Sequence, residues 1–268
     1  MKKKLLVTDL DGTLIPVANK ISAANIEAAH KAGANGVTIA IATGRMYKAA
    51  IAVADALSLN TPIIAYNGAM IAERNGTILY DCCLPSDVAT EVIALCQSKG
   101  WHLQLYARDE LYYAASNEFT ERYEKNQNLQ GHAVGWEGLQ ARTTNVTKLL
   151  CISAEPAEAQ QKQQILRAAF GDKLNCMVSH PRYVEMVDLN VGKGLAVKRL
   201  AEKLGIDREN VFAIGDSVND ISMLQAAGVS IAMGNAAPEI QAMCTHVTSP
   251  CDEDGFAQAI YTYLLCQA

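Results

Sequence analysis

Close to its start the chain runs Leu5-Leu6-Val7-Thr8 and then breaks into Asp9-Leu10-Asp11-Gly12-Thr13. An apolar run of this kind reads as a strand buried on both faces, which belongs in a sheet covered on both sides. Aspartates are poor strand formers and costly to bury without a partner. Two of them at the mouth of a buried strand therefore mark the edge of a sheet where an α/β fold places its ligands. If the extended geometry continues past Thr8, alternation puts the carboxylates of Asp9 and Asp11 on one side. Side by side they can take unequal roles, one ionised beside a cation and the other carrying a proton.

The pattern that follows supports such a sheet. Ser22 reads as a helix cap, with Ile21 and Ile26 as a hydrophobic staple and Gly33 as the stop. Strands over 37–42 and 63–66 flank a helix over 46–59, giving β-α-β-α-β, and Asn75-Gly76 then signals a hairpin. The character changes after residue 84. Ser86 reads as the cap of a helix, followed by strands over 101–106 and 111–115, a helix over 117–127 and a polar, glycine-bearing stretch over 130–145. A strand over 148–153, a helix over 157–170 and strands over 175–179 and 183–187 complete the region. Such a mixture predicts an antiparallel sheet with helices on one face, hence a separate domain over 84–187 inserted between 1–83 and 188–268. The parallel pattern resumes with a helix over 194–204 stopped by Gly205, a strand over 211–214 ending in Gly215-Asp216, a helix over 221–226 and a strand over 229–233.

Composition excludes several classes of function. The 268 residues are 50% hydrophobic, ample for a core, and carry 23 basic against 28 acidic residues with no long block of either sign. Nothing suggests a nucleic-acid tail or a basic membrane face. No apolar run approaches the roughly 18 residues needed to span a bilayer. The basic start, Lys2 to Lys4, precedes an apolar run that Asp9 interrupts too early for a secretory signal, so a cytoplasmic protein is expected. Eight cysteines with no C-x-x-C pair and no histidine at metal spacing predict reduced, mostly buried thiols.

Polar residues collect at the predicted strand ends: Asp9 and Asp11, then Thr43-Gly44-Arg45, then Asn67-Gly68, then Asp216-Ser217-Val218-Asn219-Asp220. Four carboxylates with a hydroxyl, an amide and glycines form a hard-oxygen site suited to Mg²⁺ and phosphate. Asp9-Leu10-Asp11-Gly12-Thr13, Thr43-Gly44-Arg45, Lys193-Gly194 and Gly215-Asp216-Ser217-Val218-Asn219-Asp220, in this order, resemble the four motifs of the haloacid dehalogenase superfamily. More closely they resemble its Cof-type phosphatases of class IIB, with a C2-type cap between the second and third motifs. Tyr66-Asn67-Gly68-Ala69 and Met233-Gly234-Asn235 extend the likeness along the whole chain.

The resemblance implies an α/β fold, a Rossmann-like parallel sheet core with helices on both faces, plus an inserted α+β cap domain. It implies a Mg²⁺-dependent phosphatase acting on small phosphate monoesters, sugar phosphates or phosphorylated cofactors, through an aspartyl-phosphate. Asp9 is then the nucleophile and Asp11 the general acid and base. Asp9, the backbone carbonyl of Asp11, Asp216 and Asp220 hold the cation, Asp220 either directly or as a cap and support. Thr43, the amides of Leu10 and Gly44, Lys193 and Asn219 cradle the phosphoryl oxygens. Asn67, at the end of a core strand, is a candidate substrate contact, and Arg45 is read as fixing its loop through a salt bridge. Met46 and Cys251 depart from residues common in the family. A small phosphorylated metabolite is the expected partner, with neither nucleic acid nor membrane, and the chain is expected to be a monomer or weak homodimer. A phosphomutase and a phospho-accepting switch are the alternatives, the latter disfavoured by Asp11.

Overall fold

The computed structural model describes residues 3–16 and 20–265. Lys2 of the basic start and Cys266 lie outside them. The chain opens with β1 (Lys4–Thr8), α1 (Ala23–Ala34), β2 (Val37–Ala42), α2 (Tyr47–Leu57), β3 (Ile63–Ala65), β4 (Met70–Ala72) and β5 (Ile78–Asp81). It continues through α3 (Ser86–Ser98), β6 (Leu103–Ala107), β7 (Glu110–Tyr113), α4 (Glu118–Gln127), β8 (His132–Ala133), α5 (Gly135–Gln140), β9 (Val146–Ile152), α6 (Pro156–Phe170), β10 (Leu174–His180) and β11 (Tyr183–Asp188). It ends with α7 (Lys193–Leu204), β12 (Val211–Gly215), α8 (Ile221–Ala226), β13 (Val229–Ala232), α9 (Pro238–Met243), β14 (His246–Val247) and α10 (Gly255–Ala259). Two compact units result, Met1–Tyr80 with Gly192–Ala268, and Asp81–Val191.

The first unit is built on a sheet of order β14-β13-β12-β1-β2-β3-β4-β5. Pairing is parallel from β14 to β3 and turns antiparallel between β3 and β4. Strand β1 lies between β12 and β2, in register Val7 with Ala213 and with Ala40. Its Leu5, Leu6 and Val7 are at most 1% exposed, so both faces of the strand are covered, as an unbroken apolar run requires. Because β1 and β12 are parallel neighbours, the acids that follow them emerge at the same sheet edge although they are far apart in sequence.

The second unit holds a sheet of order β10-β11-β9-β6-β7-β8, antiparallel except for the β7–β8 pair. Leu103, Leu105, Leu149, Cys151, Val184 and Met186 on one face pack with Val88 and Val92 of α3 and Leu166 and Phe170 of α6. Helices are not confined to that face. On the other, Tyr123 of α4 meets Tyr106 and Tyr183, with ring centroids 6.3 and 6.1 Å apart. That face carries Gln104, Tyr106, Lys148 and Glu185, all buried, and they meet the cost of burial by pairing, Tyr106 donating to Gln104 Oε1 at 2.7 Å and Lys148 facing Glu185 at 3.5 Å.

Local signals are displaced in three places. Helix α1 continues past Gly33, and the Asn35 amide closes it on the carbonyls of Lys31 and Ala32. Pro85 rather than Ser86 precedes α3, and the Ser86 hydroxyl donates to Thr143 Oγ1 at 2.9 Å. The polar stretch over 130–145 contains β8 and α5, which are too short for periodicity to reveal. The seven described cysteines are free thiols, four of them buried.

Candidate active site

Strand β1 ends at Thr8, and the chain coils immediately afterwards: the Leu10 carbonyl accepts from the amides of Thr13, Leu14 and Ile15 at 3.3, 3.0 and 2.8 Å. Strand alternation therefore does not reach Asp11, and the two aspartates engage different partners instead of standing side by side. Asp9 is buried, and its Oδ1 accepts from Lys193 Nζ at 2.6 Å. The Asp11 side chain is 57% exposed and rests on the buried guanidinium of Arg45.

Lys193 opens α7 and is fully buried, so a solvated surface lysine is excluded. Its ammonium also donates to Asp220 Oδ1 at 2.6 Å. The other Asp220 oxygen accepts from the amides of Asp216 and Ser217, at 3.1 and 3.0 Å, and from the Ser217 hydroxyl. Asp220 thus both caps the turn after β12 and faces the site. Asp216 Oδ1 accepts from Thr13 Oγ1 at 2.6 Å.

The electrostatics follow from burial. Desolvation first, then the charge of Asp220, raises the Asp9 carboxyl well above the usual range, and Lys193 opposes the rise. Asp216 is pushed up to about 6, chiefly by desolvation, against the Thr13 hydrogen bond. Burial alone would depress Lys193, but the charges of Asp220 and Asp9 outweigh it and hold the ammonium above the ordinary lysine value.

One oxygen from each of Asp9, Asp216 and Asp220 lies within 4.8 Å of the others. Three carboxylates against one ammonium leave two formal negative charges uncompensated in a buried place. Hard oxygen donors of that charge suit a divalent cation such as Mg²⁺. The Asp11 side chain stands outside this group.

The remaining candidates gather beside it. The Thr43 amide donates to Ile64 O at 2.8 Å and its carbonyl accepts from Asn67 N–H at 2.9 Å, fixing the end of β2 against that of β3. Asn67 lies in the left-handed region at φ 56°, directly after Tyr66 at φ 53°. Its Oδ1 accepts from Asn219 Nδ2 at 3.2 Å. A Cβ on Gly44 would meet the Asn67 amide at 3.1 Å, so Asn67 borders the Thr43–Gly44 turn directly. Leu10 is fully buried, which leaves its backbone as the part able to serve the site.

Sequence reasoning passed over several contributors. Thr13, which stands in the first motif with no role of its own assigned, holds Asp216. Asn235 donates to Gly12 O at 2.9 Å and accepts from Cys251 N–H at 2.8 Å. Cys251 Sγ in turn donates to Thr13 O at 3.1 Å, so this departure from the family pattern supports the Asp9–Thr13 loop after all. Asn235 was visible as part of Met233-Gly234-Asn235, whereas Cys251 stood out only as a departure from the family pattern.

Comparison with known proteins settles the lineage. The family model for haloacid dehalogenase-like hydrolases matches residues 6–260. The chain belongs to that family. It is 31% identical to the 5-amino-6-(5-phospho-D-ribitylamino)uracil phosphatase YwtE of Bacillus subtilis, over 96% of each chain. It is 29% identical to the pyridoxal phosphate phosphatase YbhA of Escherichia coli, over 99% of this chain and all of that one. A solved haloacid dehalogenase-like hydrolase of Bacteroides thetaiotaomicron superposes with TM-score 0.89 at 28% identity, covering 97% of this chain and 99% of that one. The expected fold, and an enzyme of the haloacid dehalogenase phosphatases, are borne out. Among the described residues no helix is long and apolar enough to cross a membrane.

Proposed function

We propose that this member of the haloacid dehalogenase-like hydrolases is a Mg²⁺-dependent phosphatase of small phosphorylated metabolites, sugar phosphates or phosphorylated cofactors, acting through an aspartyl-phosphate. The observation that carries the reading is the carboxylate of Asp9, held on Lys193 and bracketed by Asp216 and Asp220 at the carboxyl edge of the parallel sheet. Relatives named as phosphatases of 5-amino-6-(5-phospho-D-ribitylamino)uracil and of pyridoxal phosphate support the substrate class. A reducing cytoplasmic setting suits the free thiols.

Asp9, Asp216 and Asp220, with the backbone carbonyl of Asp11, would hold the cation, which when bound screens the repulsion between an anionic nucleophile and an anionic phosphate. Asp9 attacks phosphorus, forming one P–O bond as that to the leaving oxygen breaks. Asp11 gives the leaving oxygen its proton. A water then attacks the aspartyl-phosphate and yields its proton to Asp11, which releases inorganic phosphate and restores Asp9. Lys193, Thr43, Asn219 and the backbone amides of Leu10 and Gly44 steady the transferring oxygens, with Asn67 fixing the Asn219 amide.

Turnover of p-nitrophenyl phosphate, followed with Mg²⁺ and after chelation, tests this reading. Activity is expected to require the metal and to vanish in Asp9→Asn. Metal-independent turnover, an active Asp9→Asn, a long-lived phosphoprotein or isomerised sugar phosphate in place of free phosphate would each overturn it, the last two in favour of a switch or a mutase.

A further inference from the structure

The pairing of Asp11 with Arg45 is not explained by the fixing of a loop. Arg45 donates from Nε to Asp11 Oδ2 at 2.8 Å and from Nη2 to Oδ1, a bidentate contact that occupies both carboxylate oxygens. The partners are unequal: the Arg45 side chain is 9% exposed and that of Asp11 57%. Arg45 is also fastened along its backbone, its amide donating to Thr43 Oγ1 at 3.1 Å and its carbonyl accepting from Tyr66 N–H at 2.9 Å. Asp11 lies inside the coil that the Thr13 and Leu14 amides close on the Leu10 carbonyl, bridged to Ile15, and its side chain reaches out of that coil onto the guanidinium. A buried, immobile fork therefore holds an exposed carboxylate. A planar guanidinium selects one orientation of a carboxylate in a way that a point charge does not.

We infer that Arg45 is the positioning residue for Asp11, fixing where proton transfer to the leaving oxygen takes place. The inference rests on the phosphatase reading. The proton balance shows what the fork must do. When Asp11 carries a proton, the oxygen that bears it is a poor acceptor, so the guanidinium bond to that oxygen is lost. One N–H···O bond opens while the other keeps the carboxyl group in place. As the P–O bond to the leaving group breaks, the proton passes to the leaving oxygen and the second bond re-forms. The attacking water returns a proton to Asp11 in the next step, and the bond opens again. Arg45 thus anchors the carboxyl group through both of its protonation states without touching the reacting atoms.

The leaving group discriminates this role from a general structural one. p-Nitrophenolate departs without a proton, whereas an alkoxide does not, and kcat/KM reports the steps up to cleavage of the ester. Wild type, Arg45→Gln and Arg45→Lys are compared on p-nitrophenyl phosphate and propyl phosphate with saturating Mg²⁺, with melting temperatures as the control for folding. Arg45→Gln is expected to lose about 100-fold in kcat/KM on propyl phosphate, within the range of general acid catalysis, and only severalfold on the aryl ester. Arg45→Lys, which keeps the charge but not the fork, falls between. In an Asp11→Asn background, Arg45→Gln is expected to add little on propyl phosphate. Equal losses on both esters in folded variants, or a double variant whose loss is the product of the single losses, would overturn the inference. A wild-type protein that cleaves neither ester would instead overturn the phosphatase reading itself.

Discussion

Lys193 concentrates the energetics of the site in one side chain. Its ammonium is the shared partner of the Asp9 and Asp220 carboxylates, and all three groups are buried. Removing one partner of a buried ion pair costs about 3 to 5 kcal/mol, because the remaining charge keeps its desolvation penalty and loses its compensation. Lys193→Met in metal-free protein at pH 7.5 is therefore expected to lower the free energy of urea unfolding by that amount, with the loss shrinking as the carboxylates are protonated at lower pH. A loss under about 1 kcal/mol at pH 7.5 would mean that the carboxylates are already neutral in the wild type. The sequence named Lys193 only through its motif, since a lone lysine is more often solvated. Thr13 and Cys251 were illegible for a related reason: each acts on a residue brought near by the fold, and a hydrogen bond between distant segments leaves no periodicity or spacing to read.

Among the elements, the loop after β3 is the least ordinary. Tyr66, Asn67 and Gly68 all have positive φ, the last at 103°. Such backbone is costly for residues with a Cβ and is retained where something is gained from it, here the approach of Asn67 to Asn219. Gly68 has a second constraint, since a Cβ there would lie 2.5 Å from the Gly192 carbonyl oxygen that precedes α7. Gly205, the αL residue closing α7, has φ 65° but nothing within 4 Å of its Cβ position. The pair separates clash from conformational preference. Gly205→Ala is expected to cost about 1 kcal/mol in chemical denaturation, and Gly68→Ala clearly more, about 2 kcal/mol or above, because backbone must move. Equal costs would show that the β3 loop yields freely. Gly205 was legible because it ends an amphipathic repeat. The 3₁₀ turn at Tyr66–Gly68 was not, because an apolar strand running into Asn-Gly looks the same whether it stops at Ala65 or Tyr66.

At the scale of the whole molecule, the site joins the first strand of the chain to residues that follow β12, and the parallel pairing of β1 with β12 does the joining. Hydrophobic periodicity gave both strands but not their adjacency, which came from the family likeness and from the rule that ligands sit beyond strand ends. The adjacency has a cost. Three carboxylates meet one ammonium, and Asp216 is pushed from 3.8 to about 6 by desolvation. A carboxyl group whose pKa rises on folding binds more protons in the folded than in the unfolded state, so its contribution to stability falls as pH rises from about 4 through 6. The metal-free protein is thus expected to carry a local penalty of about 3 kcal/mol from Asp216 at pH 7.5, largely absent near pH 4. A divalent cation supplies the missing charge and stabilises the folded state by linkage. Melting temperatures in EDTA and in excess MgCl₂ should therefore separate widely at pH 7.5 and converge at pH 5, where protons compete with the metal. In Asp216→Asn the metal-free protein should melt above wild type at pH 7.5 and respond weakly to Mg²⁺. A Mg²⁺-dependent shift of the same size at both pH values, or one unaffected by Asp216→Asn, would place the cation away from this cluster.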